Sequence, residues 1–343
     1  MGWLRRARTT QIGVDIEGSY LRAVQVTRVG EQVFVEAGTE VRRPDSSGLV
    51  TTEDAALLLD AMDRQGFTNA PLVVGVPSAV LFSEMLELPP RSSGAPLERL
   101  AVMEVSRLRR CEPESFELAC WDLPAPRRAG DATHMFGVGC EHEPAELIVD
   151  AFESAGALVM ALDVRACALA RAIGAGSASG VTAIVELGWE HARLVATLGG
   201  VVLYERLVEE AGLHGAAAEI ARALDVDDDV AAFILSGDDA AVELGVMDEA
   251  GSIIDSVWSG AVEEVGASLA YAEHRYIDAE TGRLVLVGPG AAMDRALAVF
   301  GSAVGVDATV CTPSSVATCG DGLGQLASAP SLMAALGFAT WEG

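Results

Sequence analysis

The stretch IGVDIEGSYLRAVQV, residues 12–26, decides the fold. Ile12, Val14 and Ile16 alternate with Gly13 and Asp15, the period of a strand with one apolar face. Gly18-Ser19 supplies a turn, and the residues from Leu21 to Val26 alternate again. The segment is therefore read as a β-hairpin with an acidic residue near its tip. QVFVEAGTEV (32–41) continues the alternation into a third strand.

Further along the chain the pattern returns. After the Gly/Ser-rich GAGSASG (174–180), a natural linker, VTAIVELGWEHARLVATLGGVVLYERLV (181–208) gives a strand ending in Glu186, a Gly turn and two more strands. Two halves opened by one motif are what an ancestral duplication leaves. Between them lie a helix at 53–64 and PLVVGV (71–76), a continuous apolar run expected of a strand covered on both faces. SEMLELPP (83–90), a helix at 97–110, FELACWDLP (116–124), THMFGVGC (133–140) and a helix at 144–155 read as a small α+β unit inserted in the first half. Residues 212–282 read as mainly helical. The last of these helices, 252–277, places Ile254, Trp258, Val262, Val265, Leu269 and Tyr276 on one face. RLVLVGPGAAM (283–293) is a late buried strand running into a Gly turn.

Composition excludes several functions. The 343 residues carry 23 basic and 50 acidic side chains, a net charge of -27. Nucleic-acid binding needs a basic face to neutralise phosphates, and none is expected here. Every basic residue is arginine. Without lysine there is no P-loop, no protein-kinase strand lysine and no Schiff-base chemistry. Six cysteines form no CxxC pair, and Cys140 with His142 has no further partner at metal-ligand spacing. Asp225, Asp227, Asp228 and Asp229 lack the Gly and distal Glu of a calcium loop and are read as a helix cap. The start MGWLRRARTT has no apolar run behind its arginines, so no signal peptide is expected, and Arg5, Arg6 and Arg8 offer lipid only a weak pull. Abundant Gly and Ala with few aromatics predict close helix–sheet packing.

Two halves each opening with strand, acidic turn and strand, followed by a late strand and GxG turn, resemble the actin-like ATPase fold. That resemblance implies an α/β protein of two RNase H-like domains, residues 1–175 and 176–343. It also implies an inserted α+β subdomain of 1C type at about 77–160 and a helical 2B-type subdomain at about 207–282. Within the fold, the chain resembles the PilM-type pilus assembly proteins, relatives of the cell-division protein FtsA. The likeness runs through MGWLRR, the IGVDI hairpin, VVGVPSAVLFSEMLELPP (73–90) and FELACWDLP. It continues through ALDVRACALARAI (161–173), AIVELGWEHARLV (183–195), AEIARAL (218–224), LVLVGPGAAM (284–293) and MAALGFA (333–339).

What the resemblance implies is a nucleotide cleft lined by Asp15, Gly18, Ser19, Arg22, Glu186, Gly188, Gly288 and Gly290, with ATP as ligand and Mg²⁺ held by Asp15 and Glu186. All three loops depart from the family pattern. Glu17 stands at the small position of the first loop, and Arg22 stands where the family has lysine, seven residues after the aspartate. Glu186 replaces the second aspartate and is followed by Gly188 and the bulky Trp189, Glu190 and His191. Pro289 removes an N–H donor between Gly288 and Gly290. Two loops gain negative charge, which repels phosphate by a few kcal/mol at an effective dielectric near ~20. Nucleotide binding is thus expected to be weak, and hydrolysis weaker.

The resemblance further implies a cytoplasmic scaffold at the inner face of the cytoplasmic membrane, in a type IV pilus or type II secretion-like machine. Its partners would be the short cytoplasmic tail of a PilN-like single-span protein, seated near residues 77–120, and motor components. Membrane association would be indirect. The alternative is an active ATPase or small-molecule kinase of the same fold. FtsA-like polymerisation is disfavoured because the ending GFATWEG shows no amphipathic membrane helix.

Overall fold

The computed structural model describes residues 8–235, apart from 31, 46, 129 and 175–179, and residues 247–342, apart from 278. The arginines at 5 and 6 and most of the Gly/Ser stretch lie outside the described residues.

The opening hairpin forms as its alternation predicts: β1 (Arg8–Glu17) and β2 (Tyr20–Val29) pair antiparallel, and β3 (Gln32–Arg42) follows. Helix α1 (Thr52–Arg64), begun by a Thr51–Asp54 capping box, leads to β4 (Leu72–Gly75), which runs parallel to β1. β8 (Val159–Asp163) closes that edge, and the short β14 (Thr318–Cys319) extends the other, giving the order β14-β3-β2-β1-β4-β8. The second half repeats the plan with β9 (Val181–Leu187), β10 (Ala192–Leu198), β11 (Val201–Val208), β12 (Thr281–Val287) and β13 (Ala308–Val310) in the order β11-β10-β9-β12-β13. In both sheets the first three strands are antiparallel and the next two parallel.

Each central strand is covered on both faces. Ile12, Val14 and Ile16 face a core shared with α1 and α3 (His142–Ser154), built on Leu58, Ile148 and Phe152. Gly13 faces the closing helix α9 (Met333–Ala339), where a Cβ would stand 2.0 Å from the Ala335 carbonyl oxygen. Gly337 likewise lets α9 lie on α4 (Arg165–Ala172), since a Cβ there would meet the Ala168 oxygen at 2.1 Å. These small residues let two connecting helices fill the layer between the sheets, as the composition predicts.

Helices α5 (Leu213–Leu224), α6 (Asp228–Leu235) and α7 (Met247–Arg275) pack on the second sheet. They share one core with β9, β10 and β12, so the region expected to be a helical subdomain has no separate core. α8 (Asp294–Val304) follows the GPG turn.

The inserted unit is a three-stranded antiparallel sheet, β5 (Leu81–Leu88), β7 (Thr133–Glu141) and β6 (Phe116–Asp122) in the order β5-β7-β6, with α2 (Leu97–Arg109) on one face. Its own core is Phe82, Leu86, Leu88, Leu97, Ala101, Val105, Phe116 and Met135. The helix read from sequence as its last element, α3, instead joins the first-half core through Ile148 and Phe152, and β8 joins the first sheet. The insertion as a packing unit thus ends with β7 rather than near residue 160. Its other face lies on the second half. Leu123, Phe136 and Val138 enter that half's core, each buried side chain contributing about 1.5–3 kcal/mol. The Trp121 indole N–H donates to the Val202 carbonyl at 2.8 Å, and the Arg127 backbone N–H donates to the Arg275 carbonyl at 2.8 Å. The insertion therefore ties the two halves together away from the hairpin tips.

Candidate functional site

Strand periodicity aims both acidic residues inward. Asp15 lies on the face of β1 opposite Val14, and Glu186 on the face of β9 opposite Val185, so both point into the layer between the sheets. Each faces an arginine across its hairpin, Asp15 opposite Arg22 and Glu186 opposite Arg193. Each arginine reaches on to a glutamate of the third strand. Arg22 Nε donates to Glu40 at 2.5 Å, and Arg193 donates to Glu205. The two halves therefore carry the same acid–arginine–glutamate array.

Arg165, at the start of α4, joins the arrays. It donates to Asp15, to Glu186 at 2.6 Å and to the Ile16 carbonyl at 3.3 Å, and it lies 4.0 Å from Glu17. Arg193 also donates to Glu186 at 3.0 Å and to the Ser78 hydroxyl at 2.7 Å, at the root of the insertion. Asp15, Glu17, Arg22, Arg165, Glu186 and Arg193 are all buried. Charges this deep persist only when paired and hydrogen-bonded.

The hairpin tips exchange glutamates. Glu17 of the first loop donates nothing and accepts twice, from the Trp189 backbone N–H at 3.1 Å and from Arg22 at 2.5 Å. Its Oε1 occupies the space beside Gly188, where a Cβ would come within 2.2 Å. Glu190 of the second loop lies over Gly18, where a Cβ would stand 2.4 Å from its Cγ, and it accepts from the Ser19 hydroxyl at 3.0 Å. Tyr20 and Trp189 pack edge to face with centroids 5.8 Å apart. Each glycine is required by the other loop's carboxylate.

Titration follows this geometry. Burial pushes the Asp15 carboxyl up to about 6 against the pull of Arg165 and Arg22. Its Oδ2 has no hydrogen-bond partner and lies 3.5 Å from Arg22. Burial also acts to raise Glu17, but Arg22 and Arg165 outweigh it and hold that carboxyl down at about 2. Burial acts to lower Arg22 and Arg165, yet the carboxylates around them raise both. Burial and the neighbouring Arg193 lower the His191 imidazole.

Asp15, Gly18, Ser19, Arg22, Glu186 and Gly188 are thus brought together. Gly288 and Gly290 lie beyond Leu187, and their missing Cβ atoms make room for the Leu187 backbone and side chain, at 2.7 Å in each case. Arg165 and Arg193 escaped the sequence reading. Arg193 could have been found, because it follows Glu186 by the same seven residues that separate Arg22 from Asp15. Arg165 has no local signal.

The side chains in place do not fit Mg²⁺ and a nucleoside triphosphate. A guanidinium stands between Asp15 and Glu186, where the resemblance implies the metal, and Glu17 takes a loop N–H that would face phosphate. No group of three or more metal-ligating side chains forms among the described residues. Beside the tips a cavity of about 620 Å³ remains, bounded by Tyr20, Trp189, Ile254, Pro289, Met293 and Arg295.

No family model matches the chain, and no curated protein matches it. Solved structures do. A chain of a PilM-PilN type IV pilus biogenesis complex is 18% identical, with a TM-score of 0.74 over 97% of this chain and 98% of that one. The ethanolamine utilization protein EutJ from Carboxydothermus hydrogenoformans is 14% identical, with a TM-score of 0.59 over 99% of this chain and 91% of that one. These likenesses show the fold: the chain is an α/β protein with the actin-like ATPase fold.

Proposed function

We propose that the protein is a scaffold of a type IV pilus or related secretion machine, whose cleft is held shut by its own side chains instead of by nucleotide. The observation that carries the second part is the glutamate exchange. The Glu17 carboxylate accepts a backbone N–H that an actin-like cleft would offer to phosphate, and Arg165 takes the place of the metal. The likeness along the whole chain to a PilM-PilN complex supports the first part. On this reading the chain receives the short cytoplasmic tail of a PilN-like single-span protein near residues 77–120 and is brought to the inner face of the cytoplasmic membrane through that partner. No helix among the described residues is long and apolar enough to cross a bilayer.

The alternative, an ATPase or small-molecule kinase of the same fold, has in its favour the 620 Å³ cavity beside the tips. Calorimetric titration with ATP and Mg²⁺ separates the two. The expected result is no binding by the wild type up to millimolar nucleotide and gained binding by Glu17→Gly, which frees the Trp189 N–H and removes a charge. Low-micromolar binding with turnover by the wild type would overturn the scaffold reading. So would failure to bind the partner's tail at micromolar concentrations.

A further inference from the structure

A long groove runs along α7 between the inserted sheet and the second half. Two cavities, of about 1240 and 1100 Å³, meet at Tyr271. One wall is β11, from Tyr204 to Val208, continuing to Ala211; the other is β5, through Met85 and Glu87. Both strands are sheet edges, so each leaves a row of backbone N–H and C=O groups unpaired by a neighbouring strand. Three of the exposed large apolar side chains meet here: Met85 at 39%, Leu207 at 36% and Tyr271 at 44% exposure. The floor is Ser256, Gly260 and Ala267 on α7, small enough for another backbone to approach closely.

Charge is sorted along the groove. At one end stand Glu209, Glu210 and Glu263, none with an arginine at ion-pair distance among the described residues. Among the described residues Arg206 is the one arginine at that end, and it is engaged by Glu264. At the other end Arg127, Arg128 and Arg275 stand beside Glu87 and Glu273, so that end is balanced and the acidic excess lies at the first. The floor from Ser256 to Arg275 is roughly 30 Å long at 1.5 Å per helical residue, the length of about nine residues of extended chain.

We propose that this groove is a docking site for an extended segment of another protein. The segment lies beside the free edge of β11, with Lys or Arg over Glu209, Glu210 and Glu263 and alternate apolar side chains against Met85, Leu207 and Tyr271. The free edge and the apolar contacts supply affinity, and the carboxylates select a basic sequence. The inference is argued from this groove and not from the pilus reading, with which it shares only the β5 wall at Met85 and Glu87.

The probe is a phage-displayed library of random nonapeptides panned on the full chain, with the enriched sequences then made synthetically. The expected result is enrichment of peptides with Lys or Arg in one half and apolar residues at alternate positions. Their affinity should fall at least tenfold for Glu209→Arg/Glu263→Arg, fall with added salt, and be lost on N-methylation of alternate backbone amides. The double variant must keep the wild-type unfolding midpoint, and Tyr271→Ala serves as a second probe of the floor. No enrichment, enriched peptides without excess basic residues, or equal affinity for the charge-reversed variant overturns the proposal.

Discussion

Replacing Arg165 with methionine tests the core of the site. The side chain is buried, with Asp15, Glu186 and Glu17 all within 4.0 Å of it. After its removal Glu186 keeps Arg193 at 3.0 Å and Glu17 keeps Arg22 at 2.5 Å. Asp15 keeps only Arg22 at 3.5 Å, with 1% of its surface exposed. Removing one member of a buried ionic group costs about 3–5 kcal/mol, because the charge left behind has lost its counter-ion without regaining water. Asp15 can escape part of that cost by taking a proton. Its carboxyl already sits at about 6 against an ordinary 3.8, and losing Arg165 raises it further. The folded form of Arg165→Met therefore binds a proton that the unfolded chain has released, and the cost grows as pH rises. Urea denaturation followed by tryptophan fluorescence should show a loss of about 3–5 kcal/mol at pH 8 and a smaller one at pH 5. Adding Asp15→Asn should recover most of the loss at pH 8, since it removes the stranded charge. Wild-type stability of Arg165→Met at pH 8, or no recovery with Asp15→Asn, would refute the reasoning. Urea is the denaturant of choice because guanidinium would screen the charges under test.

The wild type should show its own pH signature. The raised Asp15 stabilises the fold as pH drops from about 7 toward 5, and the depressed Glu17 withdraws stability below its ordinary 4.5 as pH nears 2. As pH is lowered from 8 to 3, urea midpoints should rise and then fall, the rise vanishing in Asp15→Asn and the fall shrinking in Glu17→Gln; a flat profile contradicts both shifts. Gly13→Ala would drive a methyl to 2.0 Å from the Ala335 oxygen and push α9 off β1. It should cost several kcal/mol or abolish soluble expression, whereas Gly48→Ala, with nothing within 4 Å, should stay within about 0.5 kcal/mol by thermal denaturation. Trp121→Phe keeps the aromatic contact with Phe136 but orphans the Val202 carbonyl, at a cost of about 1 kcal/mol. Limited proteolysis should then cut the insertion faster than in the wild type, and unchanged cleavage would mean that this bond does not hold it.

The glutamate exchange gives the altered loops a physical meaning. A carboxylate added to a phosphate loop repels phosphate only while the loop is open. Here Glu17 and Glu190 each lie on the opposite half's glycine, so the added charges become internal ligands. Glu17 is neutralised by Arg22 at 2.5 Å with Arg165 at 4.0 Å, and Glu190 accepts from the Ser19 hydroxyl at 3.0 Å.

The sequence by itself determined the local architecture. Alternation in residues 12–26 and 181–208 fixed the two hairpins, because period-two burial is written in neighbouring residues. The seven-residue spacing of Asp15 to Arg22, repeated by Glu186 to Arg193, set each acid opposite its arginine, because hairpin register follows from spacing about a turn. Gly13 and Gly337 were legible only as part of a Gly-rich composition; which backbone each admits was not. Tertiary structure alone decided that Arg165 would bridge acids 150 positions before it and 21 after it, and that Glu17 would meet an N–H 172 positions away. It also seated the insertion on the second half and returned α3 to the first. Those contacts depend on how two separately legible halves face each other, and no local period or spacing encodes an orientation set by the packing of α4 and α9 between the sheets.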